Sequence, residues 1–437
     1  LARIYFGRDG ASDIKLDDSA PTLRIPGLLL TSTAVARRAI IASPGDFNGP
    51  EASDGKRIDD IAIAVTHQTA RTDEERVKDA QVESDYLLFG RKTGWTGEID
   101  VAQAADVVIT GLTGTASLAN VGDVNGNGID DLLIGDPSLP SSPVLPSASI
   151  FFGRPKWGTA PLLNELFDEK IDDDFQIEND IPGAPAGQVP GLWHVTSRCA
   201  TDPGHSASTS LYFGQDTLGN YNVGRTAGRL TSRAIDLTGL GAANLGAQLS
   251  FSYFLETEPA LRQRSKDIAR VQVSTDNFKN SSSTSTITIL SNDPAAGGGL
   301  VDPSTGWRKV TFNLSQFVGQ KIRIRFDFDT GDSGLNTFEG WYLDDVVVRP
   351  ILTLKNADVR VGGPDGTGTN VAGVGDVNGD GRDDFAVLNP RLEPGQVYVV
   401  YGRDPTSPFP GPTIFDLVNV TLTGTGLTGF SVRPAGN

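Results

Sequence analysis

The 437-residue sequence contains one cysteine, no methionine and three histidines. Because Cys199 is the only cysteine, no disulfide can form within the chain. Neither a paired-cysteine spacing nor a His-x-x-x-His spacing occurs, which excludes the common zinc-site motifs. The fold must therefore be stabilised by means other than disulfides or a zinc site of this kind.

Positive charge and long apolar runs are also scarce. Lysine and arginine number 37 against 54 aspartates and glutamates, and the net charge is -17. We therefore expect no nucleic-acid partner, since phosphate binding needs a basic face. No run of 18 apolar residues occurs, so we expect no membrane span. The sequence begins at Leu1 without the pattern of a signal peptide, and we expect that any such peptide has been removed or lies outside it.

Acidic, glycine-rich loops are abundant instead. One motif runs from Gly122 to Gly135 and recurs from Gly375 to Leu388. Counted from the first aspartate, oxygen-bearing side chains stand at positions 1, 3, 5 and 9, and glycine stands at position 6. This spacing suits a hard cation, because carboxylate, amide and backbone oxygens can turn inward around a sharp glycine bend. An apolar run follows each loop and predicts a buried strand.

Two other interpretations of these loops are weaker. A hairpin turn with solvated acids would explain the glycines, but it does not need the acid at position 9. A stretched third copy, from Gly45 to Ile63, also argues against a chance turn. An EF-hand needs flanking helices and a glutamate at position 12, where the two copies have Ile134 and Val387.

A second motif accompanies the loops, a short apolar strand that ends in aromatic-Gly-Arg. Its copies are Ile4–Arg8, Leu87–Arg91, Ile150–Arg154 and Val399–Arg403. The order is loop, strand, variable hairpin and aromatic-Gly-Arg strand. Recurring units made only of strands are typical of a propeller.

The spacing of this second motif predicts an inserted domain. Gly153 and Gly402 are 249 positions apart, against 63 between Gly90 and Gly153, so roughly 186 residues are inserted. The inserted stretch alternates apolar and polar residues at period two between turn signals, which predicts an all-β sandwich of about eight strands. Asp358–Gly362 then looks like the opening strand of the resumed repeat. The predicted domains are 1–165 and 351–437 for the repeats, 166–191 for an acidic and Pro/Gly linker with the start of the insertion, and 192–350 for the sandwich.

On these motifs, residues 1–165 and 352–437 resemble the FG-GAP repeats of the integrin-alpha type β-propeller. The resemblance implies seven blades in a complete ring, a calcium ion in each intact loop and an extracellular setting. Calcium could then supply the stabilisation that disulfides do not. The implied ligands of the two tight loops are Asp123, Asn125, Asn127, the Ile129 carbonyl and Asp131, and Asp376, Asn378, Asp380, the Arg382 carbonyl and Asp384. In the stretched loop the natural matches are Asp46, Asn48, Asp54 and Asp60, with Asp59 as an alternative to Asp60.

The insertion resembles a MAM-like or cleaved-adhesin-like jelly roll, as found beside bacterial secreted peptidases and adhesins. Leu192–His194, Ser252–Glu258 and Gly340–Val346 carry the resemblance. It implies a structural calcium ion near Glu178, Asp344 and Asp345, although these acids could equally cap strands. Both ends of the sequence fall within repeats, so we expect it to be part of a longer protein.

Catalytic motifs are weak. Asp329-Thr330-Gly331 and Asp332-Ser333-Gly334 look like aspartic-protease triplets, but both stand on one loop, whereas a carboxylate dyad needs two loops that meet. Gly331–Gly334 also resembles a serine-protease nucleophile site, for which only His67, His194 and His205 could be the base.

The sequence thus predicts an all-β, partial FG-GAP propeller with an inserted jelly roll. We expect a secreted or cell-surface, calcium-binding scaffold for adhesion or assembly, without catalysis. Its partner would be a protein or a surface polysaccharide, and assembly with copies of itself remains open. The alternatives are a carbohydrate-binding module with exposed aromatic residues, and the non-catalytic part of a larger secreted hydrolase.

Overall fold

Short apolar strands pair with one another in the described parts of the chain and form several separate sheets. The computed structural model describes residues 2–3, 22–24, 38–43, 45–49, 58–66, 85–90, 98–112, 117–137, 147–154, 162–168, 171, 173–206, 208–258, 267–280, 285–392, 395–404, 409, 414–424 and 432. The all-β prediction is confirmed, since the two α-helices described have four residues each. Neither is long and apolar enough to cross a membrane. The chain divides into two compact units, residues 1–159, 243–245 and 351–437, and residues 160–242 and 246–350.

The strands and helices before the insertion all lie in the first unit. They are β1 (Ala2–Arg3), β2 (Thr22–Arg24), β3 (Arg38–Ala42), β4 (Ile61–Thr66), β5 (Asp85–Leu88), β6 (Glu98–Asp100), α1 (Val101–Ala104), β7 (Val107–Thr110), β8 (Ser117–Asn120), β9 (Leu132–Asp136) and β10 (Ser147–Phe151).

The inserted stretch contributes twelve described strands. They are β11 (Leu163–Glu165), β12 (Phe175–Glu178), β13 (Trp193–Thr196), β14 (Ser210–Phe213), β15 (Ala227–Ser232), β16 (Ile235–Asp236), β17 (Gly246–Glu256), β18 (Ile268–Ser274), β19 (Thr286–Ser291), β20 (Arg308–Asn313), β21 (Lys321–Asp329) and β22 (Gly340–Thr353). The remaining elements are β23 (Val359–Gly362), β24 (Asn370–Gly375), β25 (Asp384–Asn389), β26 (Gly395–Val400), α2 (Ile414–Leu417) and β27 (Val420–Gly424).

Three repeat sheets form the core of the first unit. The first repeat sheet contains β3, β4, β5 and β7, the second contains β8, β9, β10 and β23, and the third contains β24 to β27, each antiparallel in that order. Ile351–Thr353 add a parallel pairing to β7. Strands β9 and β25 are buried at every position, which is expected for strands covered on both faces.

The second repeat sheet corrects one expectation. Val359–Gly362 was predicted to open the third repeat, but β23 pairs with β10, with Val359 opposite Ile150 and Gly362 opposite Ser147. It therefore closes the second repeat sheet, and the insertion lies between two paired strands of that sheet. Sequence order suggested the wrong partner because the true partner lies some 200 positions earlier.

The second unit is a β-sandwich. One sheet contains β13, β14, β17, β20 and the first part of β22, with β11 also paired to β22, and the other contains β12, β15, β21, β18 and β19, with β16 at β21. Alternate residues of β21 point inward, and Phe326 contacts Phe251 and Trp341 of the facing sheet at ring-centroid distances of 5.1 and 5.9 Å. Trp193 and Trp341, the two largest core side chains, are buried between the sheets.

Candidate calcium-binding loops

The loop between β8 and β9 is a tight turn built from its own polar side chains. Both oxygens of Asp123 accept backbone hydrogen bonds, Oδ1 from Asn127 at 2.9 Å and Oδ2 from Gly128 at 2.7 Å. Oδ1 of Asn125 accepts from the N–H of Asn127, and Oδ1 of Asn127 accepts from the N–H of Ile129. Gly126 and Gly128 have φ of 73° and 86°, a left-handed conformation in which only glycine is unstrained. The side-chain oxygens of positions 1, 3 and 5 therefore all turn into one loop.

The loop between β24 and β25 repeats this arrangement. Asp376 accepts hydrogen bonds from the N–H groups of Gly379, Asp380 and Gly381 at 2.7 to 3.1 Å. These bonds, the one from Gly381 foremost, hold the pKa of Asp376 below its ordinary value. Asn378 accepts from Asp380, and Asp380 accepts from Arg382, as the corresponding residues do in the earlier loop.

The acid at position 9 joins the loop to the aromatic-Gly-Arg strand. Oδ2 of Asp131 accepts from the N–H of Val124 at 3.0 Å, and Oδ1 accepts from the N–H of Gly153 at 2.8 Å. Asp384 makes the same two contacts, with the N–H groups of Val377 and Gly402. The position 9 acid is therefore a structural link as well as a candidate ligand.

Asp60 has this linking role in the stretched loop. It accepts from the N–H groups of Phe47 and Gly90 at 2.9 and 2.7 Å, whereas Asp59 is exposed. Asp60, rather than Asp59, is thus the counterpart of Asp131. Burial raises the pKa of both Asp60 and Asp131 to about 8, and burial also raises the pKa of Asp384.

The acids at position 8 connect consecutive loops. Oδ2 of Asp130 accepts from the N–H of Asp46 at 3.2 Å, and Oδ2 of Asp383 accepts from the N–H of Asp123 at 3.0 Å. The approach is so close that a Cβ at Gly122 would collide with Asp383. The sequence analysis gave Asp130 and Asp383 no role, although every copy of the loop ends in a pair of aspartates.

The arginines that end the aromatic-Gly-Arg strands reinforce this connection. The N–H of Arg154 donates to the carbonyl of Phe47 at 3.2 Å, and the N–H of Arg403 donates to the carbonyl of Val124 at 2.8 Å. The stretched loop and the loop between β8 and β9 are therefore each bound by the next repeat through a backbone N–H and a backbone carbonyl.

The two tight loops bring their predicted ligands together in sequence-local turns, and the stretched loop is described only in part. Asp46 and Asp60 are buried and Asn48 is half-buried, while Asp54 lies outside the described residues. The aromatic-Gly-Arg strand at 4–8 also lies outside them. Within the part of the chain that the structure describes, no three His, Cys, Asp or Glu side chains form a metal-holding group. The predicted ligand sets of the loops differ from such a group, because they include asparagine side chains and backbone carbonyls.

In the sandwich, the candidate acids have separate partners. Oδ2 of Asp344 accepts a hydrogen bond from Ser206 and lies 2.9 Å from Nδ1 of His205. The side chains of Asp344 and His205 are both fully buried. Oδ2 of Asp345 accepts from the hydroxyl of Ser252 at 2.9 Å. Glu178 lies on β12, opposite Arg229 of β15. The carboxylate of Asp344 thus contacts a histidine and a serine.

The two Asp-x-Gly triplets form local turns. Oδ1 of Asp329 accepts from the N–H of Gly331, and Oδ1 of Asp332 accepts from the N–H of Gly334. His194 lies 3.1 Å from Asp216, and His67 lies outside the described residues. His205 is held between Asp344 and the carbonyl of Cys199, with its ring stacked 4.0 Å from Trp307.

Residues 367–400, which include the whole third loop, match the FG-GAP repeat family. No curated protein matches the sequence. Among solved structures, the K1 cleaved adhesin domain of Lys-gingipain from Porphyromonas gingivalis W83 is 17% identical, with 43% of this chain and 96% of that chain covered and a TM-score of 0.27. The carbohydrate-binding module CBM27-1 of Caldicellulosiruptor saccharolyticus, solved with mannohexaose, is 14% identical, with 44% and 98% covered and a TM-score of 0.25. One FG-GAP repeat is therefore shown, and cleaved-adhesin and carbohydrate-binding domains are among the structural neighbours.

Proposed function

We propose that this chain is a non-catalytic, calcium-stabilised scaffold of a secreted or cell-surface protein that serves adhesion or assembly. The three repeat sheets are blades of an FG-GAP β-propeller of the integrin-alpha type. The sandwich, inserted between the last two strands of one blade, is a module of the MAM-like or cleaved-adhesin-like class. Its partner is a protein or a surface polysaccharide, and not a nucleic acid.

The observation that carries this proposal is the shared construction of the two tight loops. In each, the side chains at positions 1, 3 and 5 present oxygens into one turn, and the position 9 acid lies beside it. Every side-chain ligand of the proposed sites is a carboxylate or amide oxygen. Calcium prefers oxygen ligands of this kind. A carboxylate has about four acceptor sites, so oxygens that already accept N–H groups can still bind a cation.

Asp376, Asn378, Asp380, the Arg382 carbonyl and Asp384 would hold the ion in the third repeat. Asp123, Asn125, Asn127, the Ile129 carbonyl and Asp131 would hold it in the second. Burial and mutual repulsion disfavour the ionised form of these carboxylates. A bound cation would supply positive charge that favours it. The loops would then fix the geometry of the blades rather than bind the partner directly.

The structure gives less support to a carbohydrate-binding module that stacks sugars on exposed aromatic rings. Tyr212 and Tyr342 stack on one another at 4.0 Å and are fully buried. Among the described residues, none of the large hydrophobic side chains that are exposed is aromatic. A polysaccharide partner would therefore bind through polar groups.

Calcium titration of the chelator-treated chain by calorimetry tests the proposal. We expect the wild type to bind calcium, and Asp123→Ala and Asp376→Ala each to lower the stoichiometry by one. Asp236→Ala, an exposed acid of the sandwich, is the matched control and should leave the stoichiometry unchanged. The absence of calcium uptake, or an unchanged stoichiometry in the Asp123→Ala/Asp376→Ala variant, would contradict the proposal.

A further inference from the structure

The outer surface of the second sandwich sheet carries four arginines on three adjacent strands. Along β21, residues that face the core alternate with residues that point outward, and Arg323, Arg325 and Asp327 are of the outward set. Register places two more arginines on the same surface, because Arg229 of β15 and Arg270 of β18 both lie opposite Asp327. We call the surface formed by these four arginines the arginine face.

The acids on the arginine face do not balance its positive charge. Asp327 pairs with two of the guanidinium groups at once, at N–O distances of 3.1 and 2.9 Å. Glu178 of β12 lies opposite Arg229 and is the other acid next to the arginines. Lys321 and Asp329, at the two ends of β21, add one charge of each sign. On β12, β15, β21 and β18, positive charge therefore exceeds negative charge, although the net charge of the chain is -17.

Among the described residues, the partners of Arg323 and Arg325 are neutral. Nε of Arg325 donates to the hydroxyl of Thr231 at 3.0 Å. Nε of Arg323 donates to the side-chain oxygen of Asn277 at 2.9 Å. Burial lowers the pKa of Arg325, and the positive charge of Arg229 lowers it further. An anion next to Arg325 would offset this repulsion, and each guanidinium group has further N–H donors with which to bind one.

The side chains around Arg325 are polar and neutral. Thr231 and Gln272 lie on either side of it in the register, and Gln176 and Thr288 lie one strand further out. In the described part of the chain, none of the large hydrophobic side chains that are exposed lies on a strand of this sheet. Protein partners are held mainly by aromatic and other apolar residues at the centre of an interface. The arginine face offers charge and hydrogen bonds instead, which favours a hydrated, anionic ligand.

We propose that the arginine face binds a linear acidic polysaccharide whose sugars carry carboxylate groups. A guanidinium group can bind a carboxylate through two parallel hydrogen bonds. Arg323 and Arg325 stand two residues apart on one strand, which is about 6.8 Å, so they can bind two anionic groups along one extended chain. The glutamine and threonine side chains of the face pair with sugar hydroxyls. This inference rests on the proposed adhesion function and deepens it by naming the class of polysaccharide.

Binding of the full chain to immobilised hyaluronan, measured by biolayer interferometry at physiological ionic strength, tests the proposal. We expect saturable binding that weakens as salt is added, and no binding to hyaluronan whose carboxylates have been reduced to alcohols. Arg323→Gln/Arg325→Gln should weaken binding about tenfold or more, because it removes charge-assisted hydrogen bonds. Lys309→Gln/Arg391→Gln is the matched control, since it removes the same charge at exposed sites outside this sheet and should leave the affinity unchanged.

A gain-of-binding variant keeps the test valid if Arg323→Gln/Arg325→Gln folds poorly, which thermal melting would reveal. Gln176 is exposed and lies opposite Thr231, so Gln176→Arg adds a guanidinium group to the arginine face and should strengthen binding. No binding to hyaluronan, equal losses in the two double variants, or an unchanged affinity in Gln176→Arg would overturn the proposal.

Poly-L-glutamate distinguishes an acidic protein partner from a polysaccharide. Binding of this polypeptide as tightly as hyaluronan would assign the arginine face to an acidic protein and would also overturn the proposal. Calcium titration of the same samples separates this inference from the calcium scaffold. Loss of hyaluronan binding with an unchanged calcium stoichiometry contradicts the polysaccharide site alone.

Discussion

The backbone N–H of Asp123 donates a hydrogen bond to Oδ2 of Asp383 at 3.0 Å, although 260 positions separate the two residues. The bond joins the second loop to the third across the whole insertion. Asp130 makes the equivalent bond to Asp46. The acid at position 8 is therefore the group through which one repeat fixes the loop of the repeat before it.

Asp383→Ala should destabilise the repeat unit by about 1 to 2 kcal/mol, because it leaves a partly buried N–H without a charged acceptor. Chemical denaturation measures this loss. Asp59→Ala is the matched control, since Asp59 stands at the corresponding place in the stretched loop but is exposed. Equal losses of unfolding free energy in Asp383→Ala and Asp59→Ala would show that the hydrogen bond between the loops does not stabilise the protein.

Asp131→Ala should destabilise the chain even when calcium has been removed by a chelator. The substitution leaves the N–H groups of Val124 and Gly153 unpaired, and Asp131 is fully buried, so we expect a loss of about 2 to 4 kcal/mol. Asp131→Asn keeps the size and one acceptor oxygen and should lose less. If Asp131→Ala had no effect in chelator, the acid would act only as a cation ligand, and the structural link would be wrong.

Stability of the sandwich should fall as pH rises from about 4 to 8, because folding raises the pKa values of both His205 and Asp344. Burial by itself lowers the pKa of His205, but its hydrogen bonds to Asp344 and the Cys199 carbonyl raise it overall. Burial raises the pKa of Asp344 to about 7, and the nearby Asp345 adds to the effect. Both groups hold a proton more tightly when folded, so the stabilisation is present at low pH and is lost as pH rises through these pKa values.

Urea unfolding followed by tryptophan fluorescence at several pH values measures this dependence, since Trp307 stacks on His205. His205→Gln does not titrate and is the control, so its stability should depend less on pH in this range. The same slope in the wild type and in His205→Gln would assign the dependence to other groups.

Much of the fold could be predicted from the sequence because its signals are local. Alternation of apolar residues, the Asp-Asn-Gly turns and the recurring aromatic-Gly-Arg strands all lie within a few residues of one another. Val359–Gly362 was assigned to the wrong repeat because strand pairing with Ser147–Phe151 is a long-range contact. Nothing in the local pattern of this strand distinguishes the end of one sheet from the start of the next.

The candidate site shows the same limit. The spacing indicated which side chains carry oxygens, but not that Asp131 binds two backbone N–H groups or that Asp383 reaches the preceding loop. The proximity of His205 to Asp344 was also not predictable, since 139 positions separate them. These contacts depend on how sheets and loops pack, which the motif does not contain.

Thermal melting with and without a chelator, at matched ionic strength, tests the calcium scaffold most directly. A ligand at a hundredfold excess over its Kd stabilises the native state by about 2.7 kcal/mol per site, which corresponds to a shift in Tm of roughly 5 °C or more for a unit of this size. The account predicts that chelation lowers the Tm of the wild type by at least this amount and that of Asp123→Ala/Asp376→Ala much less. Comparing shifts rather than absolute values removes the structural cost of the substitutions. A wild-type Tm unchanged by chelation, or an equal shift in the double variant, would contradict the account.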